Sequence, residues 1–336
     1  MKLTRIKLKN FTAFKTFDTK LAPGVNIFIG ANGTGKTHIL KIAYCACQMS
    51  NPGAGSFSSK LVGAFLPYEE RLGRLAHRTT VSTTAVAEVF RGDRKLRLTF
   101  SNHAKTGSSA KISGKDAWAE RPIECAYVPV KEMLANAPGF RSLFALRELH
   151  FEQIYADIID LAFRPILRGP HHPNRKKLLD LLQEAIDGKV VAKKETFFLK
   201  NRGRELEFSL LAEGMRKLGL LWLLIQNGTL LDGSVLFWDE PETNLNPRII
   251  GTLVEVLLEL QRLGVQILLA THDYVVLKEF DLRSKATDKV QFHALYRDES
   301  GVIQHSATDD YLQIHPNAIA DTFLELYDRD VKRDLE

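Results

Sequence analysis

Polar and apolar residues alternate from Lys2 to Lys9, the period of a strand with one wet face, and Val25 to Ile29 form a compact apolar run that ends at Gly30. Past Thr37 the residues Ile39 to Tyr44 carry helical spacing, which Asn51-Pro52-Gly53-Ala54-Gly55-Ser56 breaks. Two extended stretches between Thr79 and His103 flank Arg91-Gly92-Asp93 as a hairpin, Lys105 to Lys115 reads as an exposed loop, and Cys125 to Val130 as a strand. From Phe140 to Ile186 helical spacing returns, with Leu143, Leu146 and Leu149 and then Ile154, Ile158 and Leu161 on apolar positions, interrupted at Gly169-Pro170-His171-His172-Pro173. Strands near Thr196 to Lys200 and Glu205 to Leu210 follow, then a helix from about Glu213 to Gln226, a strand Val235 to Trp238, a helix Pro247 to Leu263 and a strand Val265 to Ala270. Strands at Val290 to Tyr296 and Val302 to Ser306 and a helix from about Asn317 close the chain. Strands alternating with helices predict an α/β fold with a mixed, mostly parallel sheet flanked by helices, N-terminal antiparallel strands and an inserted helical lobe. The expected division is 1–135, 136–195 and 196–336.

Composition narrows the class. With 336 residues, 45% hydrophobic and 26% charged, the chain is neither disordered nor collagenous. The apolar stretch from Leu218 to Ile225 is far short of the ~20 residues that cross a bilayer, and charges alternate through Met1 to Lys9, so a cytoplasmic protein without a membrane partner is expected. Cys45, Cys47 and Cys125 have no metal spacing and read as core thiols in a reducing compartment. Charge is uneven: residues 1–204 hold 34 Lys+Arg and 17 Asp+Glu, whereas 205–336 hold 12 and 23. A basic face of that size attracts polyanions, and an acidic C-terminal lobe balances it equally well.

Gly30-Ala31-Asn32-Gly33-Thr34-Gly35-Lys36-Thr37 fits G-x-x-x-x-G-K-[ST] between an apolar strand and a helix. In such a loop backbone N–H groups cradle phosphates at a helix N-terminus, Lys36 bridges the β and γ oxygens, and the Thr37 hydroxyl ligates Mg²⁺. These residues, with His38 directly after them, are the expected ATP or GTP site. Val235 to Trp238 delivers Asp239 and Glu240 to the C-terminal edge of the sheet, Asp239 for Mg²⁺ and Glu240 to polarise the attacking water.

With both motifs placed, the chain resembles ABC-type ATPases, in the soluble branch that includes SMC, RecF and OLD-like proteins and many small bacterial AAA-type ATP-binding proteins. Asp239-Glu240-Pro241-Glu242-Thr243-Asn244-Leu245-Asn246-Pro247 looks like that branch's D-E-P-E-x-x-L-H-P run, with Asn246 in place of His. Leu268 to Asp273 looks like its switch segment, which implies that His272 contacts the γ-phosphate. Leu211 to Lys217 looks like the signature that caps the opposite subunit's ATP; Ala212 stands where transporters carry serine, leaving Glu213, the Gly214 N–H, and Arg216 or Lys217 for that contact. Tyr127 to Glu132, where a glutamine loop falls, has no Gln. The resemblance implies ATP as nucleotide, Mg²⁺, and an ATP-sandwiched homodimer.

About sixty residues after the switch leave no room for an appended nuclease domain, and the helices of 140–186 are too short for an SMC arm. The expected role is an ATP-driven switch acting with DNA, RNA or a separately encoded effector, as in stand-alone ATPases of Septu and retron-associated defence modules, with Arg175, Lys176, Lys177, Lys193 and Lys194 on phosphates. A nucleotide-gated scaffold with little turnover and a transporter ATPase subunit are the alternatives. The pair His171-His172 is expected to be a loop feature rather than a metal site.

Overall fold

The computed structural model describes residues 2–169 and 172–335. Its central sheet has six strands in the order Ile303–Thr308, Val290–Arg297, Val25–Ile29, Gln266–Thr271, Val235–Asp239 and Cys125–Val128. The first pair is antiparallel and every other pairing is parallel. Val25–Ile29, Val235–Asp239 and Gln266–Thr271 are buried at every position, as strands covered on both faces must be. Their C-terminal ends carry the phosphate loop, the carboxylates and His272 to one edge.

A second, antiparallel sheet runs Phe14–Lys20, Arg5–Phe11, Thr84–Arg91, Arg94–Ser101 and Lys111–Ser113. The phosphate-loop helix Lys36–Gln48 lies between the two sheets; Ile39 through Cys47 are all buried, sharing one cluster with Leu8, Val89 and Leu98 on one side and Phe237 and Leu268 on the other. Apart from buried Lys41, which pairs with Glu152, the stretch from Ile39 to Cys47 is apolar on every side and has no wet face to offer, which explains this central position. Helices Gln153–Ala162, Pro173–Ala185, Glu213–Gln226 and Pro247–Arg262 build the other core, where Ile158, Leu182, Leu221 and Leu253 meet Leu236 and Ile267 of the central sheet. A small sheet of Lys189–Lys193, Thr196–Asn201 and Arg204–Glu207 lies beside them. The three cysteines are buried and free.

Several elements differ from the sequence reading. Phe14–Lys20, Lys189–Lys193 and the helices Phe57–Phe65 and Tyr274–Arg283 were not foreseen. Lys105 to Lys115 is not all loop, since Lys111–Ser113 adds an edge strand. The stretch Glu205 to Leu210 leaves the ladder after Glu207 and turns through a 3₁₀ segment. Leu143 and Leu146 are exposed, because the helix they begin stops at Ala145. His171 lies outside the described residues, and His172 is exposed.

One polar cluster inside this frame carries a pH signature. The ring of fully buried His293 stacks on Phe28 with centroids 4.5 Å apart, and its Nδ1 and Nε2 lie 3.1 Å from His305 Nε2 and 3.2 Å from Asn26 Oδ1. Thr19 Oγ1 is 3.3 Å from the same Nδ1. Burial, then the His305 charge, holds the His293 pKa well below its ordinary value; burial pushes His305 down to about 4 against the pull of Asp18. Both imidazoles are neutral when folded and take up protons near pH ~6.5 when unfolded, so the stability they confer is present above that pH and is lost as pH falls below it. Each contributes a slope of about 1.4 kcal/mol per pH unit between the two pKa values. The thermal midpoint should therefore drop steeply between about pH 6.5 and pH 5, and replacing His305 with Gln should flatten the drop; an unchanged slope would contradict this.

Candidate active site

The phosphate loop is shaped by what lies behind it. Gly35 has φ +93°, and a Cβ there would lie 2.6 Å from the Phe14 ring, so the turn into the helix admits no side chain. Thr34 closes the loop by donating from Oγ1 to the Ala31 carbonyl at 2.8 Å. Lys36 is 6% exposed, and its Nζ donates to the carbonyls of Gly30 at 2.6 Å and Ala31 at 3.2 Å. Burial lowers its pKa, while Glu240, Asp239 and Glu242 oppose that shift. Ala31, Asn32 and Gly33 are exposed at the rim.

Thr37 Oγ1 donates to Asp239 Oδ1 at 3.1 Å, and the Tyr127 hydroxyl donates to Asp239 Oδ2 at 3.1 Å. Burial raises the Asp239 pKa, and both hydrogen bonds counter it. The hydroxyl and carboxylate converge as two hard oxygen donors, a donor set that suits Mg²⁺. Among the described residues there is no cluster of three or more His, Cys, Asp or Glu side chains that could hold a metal. The pair therefore fits an ion whose remaining ligands are phosphate oxygens and water.

Glu240 adopts φ +47°, and its backbone N–H donates to the Ala270 carbonyl at 2.8 Å. Its carboxylate stands 3.3 Å from His272 Nδ1 and accepts from the Thr243 hydroxyl at 3.4 Å. Glu242 is buried and accepts from the Thr271 hydroxyl at 2.7 Å and the His272 N–H at 3.3 Å. Its burial raises the pKa against those bonds. Glu242 thus ties the switch strand to the turn carrying Glu240. Asn246 caps the next helix, its side chain accepting from the Arg248 N–H at 3.0 Å, with Pro247 in the first turn. That is the local work done at the position where the family run has His.

The signature segment docks onto the same turn. Ala212 is the N-cap of Glu213–Gln226, with no side-chain cap. Asn244 Nδ2 donates to Glu213 Oε2 at 2.9 Å, and a Cβ on Gly214 would come 3.0 Å from the Asn244 carbonyl. Arg216 and Lys217 are not free for a contact across a dimer. The buried Lys217 ammonium donates to the Thr243 carbonyl at 2.7 Å, and Arg216 pairs with the buried Glu132 at 2.9 Å. The segment lacking a glutamine therefore contacts the site by other means, through Tyr127 on Asp239 and Glu132 on Arg216.

Two further expected site residues differ from their assignment. His38 is half-buried against Phe65, with ring centroids 5.4 Å apart, and burial beside Lys41 lowers its pKa to about 4; it packs the helix rather than lining the loop. The Arg175 guanidinium donates to the carbonyls of Ile225 and Gln226, capping a helix end, so it is not available to a phosphate in this conformation. Lys177 pairs with Glu259 and Lys193 with Glu205, whereas Lys176 and Lys194 stand exposed.

Arg297 was missed, since no spacing links it to a loop 264 residues away. Its guanidinium donates to the Gly33 carbonyl at 3.0 Å and to the Gly301 carbonyl at 2.9 Å. The adjacent Asp298 has its pKa lowered to about 2, chiefly by the Ser300 hydroxyl and Gln304 amide, which organise the turn supporting that clamp. Arg297→Ala should weaken nucleotide affinity by about tenfold, the worth of one charge-assisted hydrogen bond, with Arg297→Lys partly restoring it. Titration with a fluorescent ATP analogue measures this; equal affinities would remove Arg297 from the site.

Fold and site together are those of an α/β P-loop NTPase. Residues 1–59 match the family described as AAA ATPase domain, and residues 116–278 match the one described as AAA domain, putative AbiEii toxin, Type IV TA system. The DNA replication and repair protein RecF of Shigella flexneri and that of Escherichia coli are each 30% identical over 117 residues, 33% of this chain and 31% of theirs. The chain thus matches about a third of the length of those relatives. An SMC head solved with the C-winged helix domain of ScpA aligns with TM-score 0.56 at 12% identity, over 92% of this chain and 98% of that one. An SMC head with an extended coiled coil, bound to the ScpA C-terminal domain derived from Pyrococcus furiosus, gives 0.53 at 10%, over 99% of both chains. The chain thus has the fold of the SMC heads and is similar in sequence to AAA-type ATPase families and to part of RecF.

Proposed function

We propose that this chain hydrolyses ATP with Mg²⁺ while closing head-to-tail around it as a homodimer, and that the cycle operates a switch on a nucleic acid or a separately encoded effector. The observation that carries the reading is the convergence of Thr37 on Asp239 and of His272 on Glu240 at one sheet edge. Glu240 accepts a proton from the attacking water, His272 and Thr243 hold its carboxylate in place, and Lys36 neutralises the phosphates. Thr37 and Asp239 would hold Mg²⁺, which supplies charge neutralisation at the phosphate oxygens when bound.

The division 1–135, 136–195 and 196–336 and a cytoplasmic setting belong to this reading. No helix among the described residues is long and apolar enough to cross a membrane. Against the transporter reading, a subunit docked on a separate permease, stand Ala212 at the signature serine position and the lack of a Gln from Tyr127 to Glu132. A role in DNA repair or in defence modules of the Septu or retron-associated kind is supported by relatives named for DNA replication and repair and by the basic excess of residues 1–204. That excess is partly compensated internally, Arg94 by Glu120, Arg97 by Glu88 and Arg164 by Glu124. The exposed Lys176 and Lys194 remain the phosphate-contact candidates. A scaffold with slow turnover is the second reading, favoured by Ala212, whose methyl cannot donate a hydrogen bond across the dimer.

Steady-state ATP hydrolysis, alone and with single-stranded or duplex DNA or RNA, tests both readings. Stimulation by one polymer, reduced by Lys176→Glu with Lys194→Glu, supports the nucleic-acid switch. Basal turnover blind to every polymer directs the switch to a protein effector, and no turnover above a Glu240→Gln blank leaves the scaffold.

A further inference from the structure

The last helix, Ala318–Leu335, has no cover. From Asp321 to Asp334 every side chain is exposed, including Phe323, Leu324, Leu326, Tyr327 and Val331. At 100° per residue these five fall on one arc, and an apolar arc on a lone helix of this length has little to keep it folded in water. Its anchorage is at the start: Ile319 packs partly on the core, and Phe323 stacks on Tyr274 with centroids 4.4 Å apart. Tyr274 is two residues past His272.

Charge says what covers the arc. Residues 318–328 carry Asp321, Glu325 and Asp328 and no Lys or Arg. Among the described residues the ion pairs within this helix join Arg333 to Asp330 and Asp334, leaving the three earlier acids unmatched. The complement is an apolar groove with a basic rim. Beside the signature helix lies a cavity of about 1100 Å³ lined by Leu199, Leu206, Leu211 and Met215, with Arg202, Arg204, Asp187 and Glu205 at its edge. Glu205 is matched by Lys193 and Lys200 and Asp187 accepts from the Asn201 amide, so the rim with its paired lysines is net basic. Both arginines are exposed and in no ion pair among the described residues; the ion pairs of that small sheet run from Lys193 and Lys200 to Glu205. Leu211 and Met215 bracket Ala212 to Gly214, and no residue of the last helix lines the groove.

We infer that the C-terminal helix docks in this groove on a second copy of the chain, acidic flank against Arg202 and Arg204. The inference rests on the head-to-tail dimer: there the switch of one protomer approaches the signature segment of the other, and the helix adjoins the first while the groove adjoins the second. Docking would strap each switch to the opposite signature helix and bury the stripe only in the closed state.

The test uses the full chain with Glu240→Gln, and reads mass by sedimentation with and without ATP and Mg²⁺. Leu324→Asp with Tyr327→Asp should weaken the ATP-dependent dimer at least about tenfold without lowering the thermal midpoint, since both side chains are exposed. Asp321→Lys, Glu325→Lys and Asp328→Lys together should weaken it, and adding Arg202→Glu and Arg204→Glu should restore it. A dimer of full strength in the helix variants overturns the inference and leaves the head-to-tail reading standing. So does a loss that the reversed arginines do not repair, which places the helix on a different surface of the second copy. No ATP-dependent dimer in the Glu240→Gln protein overturns the head-to-tail reading and this inference with it.

Discussion

Glu240→Gln should abolish steady-state ATP turnover, by a factor of roughly 100 to 10,000, while leaving nucleotide affinity within about threefold. The substitution is nearly isosteric. An amide in place of the carboxylate still accepts from the Thr243 hydroxyl and still faces His272, so the turn after the Val235–Asp239 strand should keep its shape. What it loses is the ability to take a proton. The position is also held against strain, since a non-glycine residue at φ +47° persists where its surroundings fix it, here through the bond from its N–H to the Ala270 carbonyl. His272→Ala should cost less, because Thr243 still orients the carboxylate. Single-turnover hydrolysis with equilibrium binding on the same samples separates the two quantities. Retained turnover in Glu240→Gln would move the base elsewhere, and buried Glu242 is already committed to Thr271 and the His272 N–H.

Much of this site was legible because its chemistry is local in sequence. The phosphate loop is eight consecutive residues, and the carboxylates follow an apolar strand directly, so strand, turn and ligand can be read from adjacent positions. Asp239 with Thr37 and Glu240 with His272 then follow from parallel strands ending at one edge. What stayed hidden depends on pairs far apart in the chain. Tyr127 reaches Asp239 and Arg297 reaches Gly33 only because their strands lie in the same sheet, and no periodicity records that adjacency. Charge misled in a related way. Arg175, Arg216 and Lys217 all read as candidate phosphate ligands, yet each neutralises a helix end, a buried carboxylate or a backbone carbonyl. Phe14–Lys20 was missed since its buried positions, Phe14, Phe17 and Thr19, break strict alternation. The helix Tyr274–Arg283 was missed because Val276, Leu277 and Phe280 alone are buried in it.

Lys36→Met should lose nucleotide binding, by roughly 100- to 1,000-fold, with the fold retained. Methionine keeps most of the aliphatic stem in a slot where the lysine is 6% exposed, so packing of the phosphate-loop helix changes little. The charge balance changes a great deal. Asp239, Glu240 and Glu242 all act on the Lys36 ammonium, and without it they face the nucleotide's phosphates with no buried cation between them. Each charge-assisted hydrogen bond to a phosphate oxygen is worth about 1.5–3 kcal/mol, and two such bonds account for the expected loss. Lys36→Arg separates charge from shape: the guanidinium fork restores the cation but needs more room than the space between the Gly30 and Ala31 carbonyls gives, so recovery should be partial. The wild-type pH profile gives a second check. Burial lowers the Lys36 pKa from 10.5, so affinity should begin to fall with rising pH before an ordinary lysine titrates, and Lys36→Met should lack that limb. Calorimetric titration with ATP and Mg²⁺ across the alkaline range reads both effects. Affinity that survives Lys36→Met would show that another cation holds the phosphates, and Arg297 would be the next side chain to remove. An alkaline limb that persists in it would assign the titration to a group other than Lys36, and not to an arginine, which stays charged across that range.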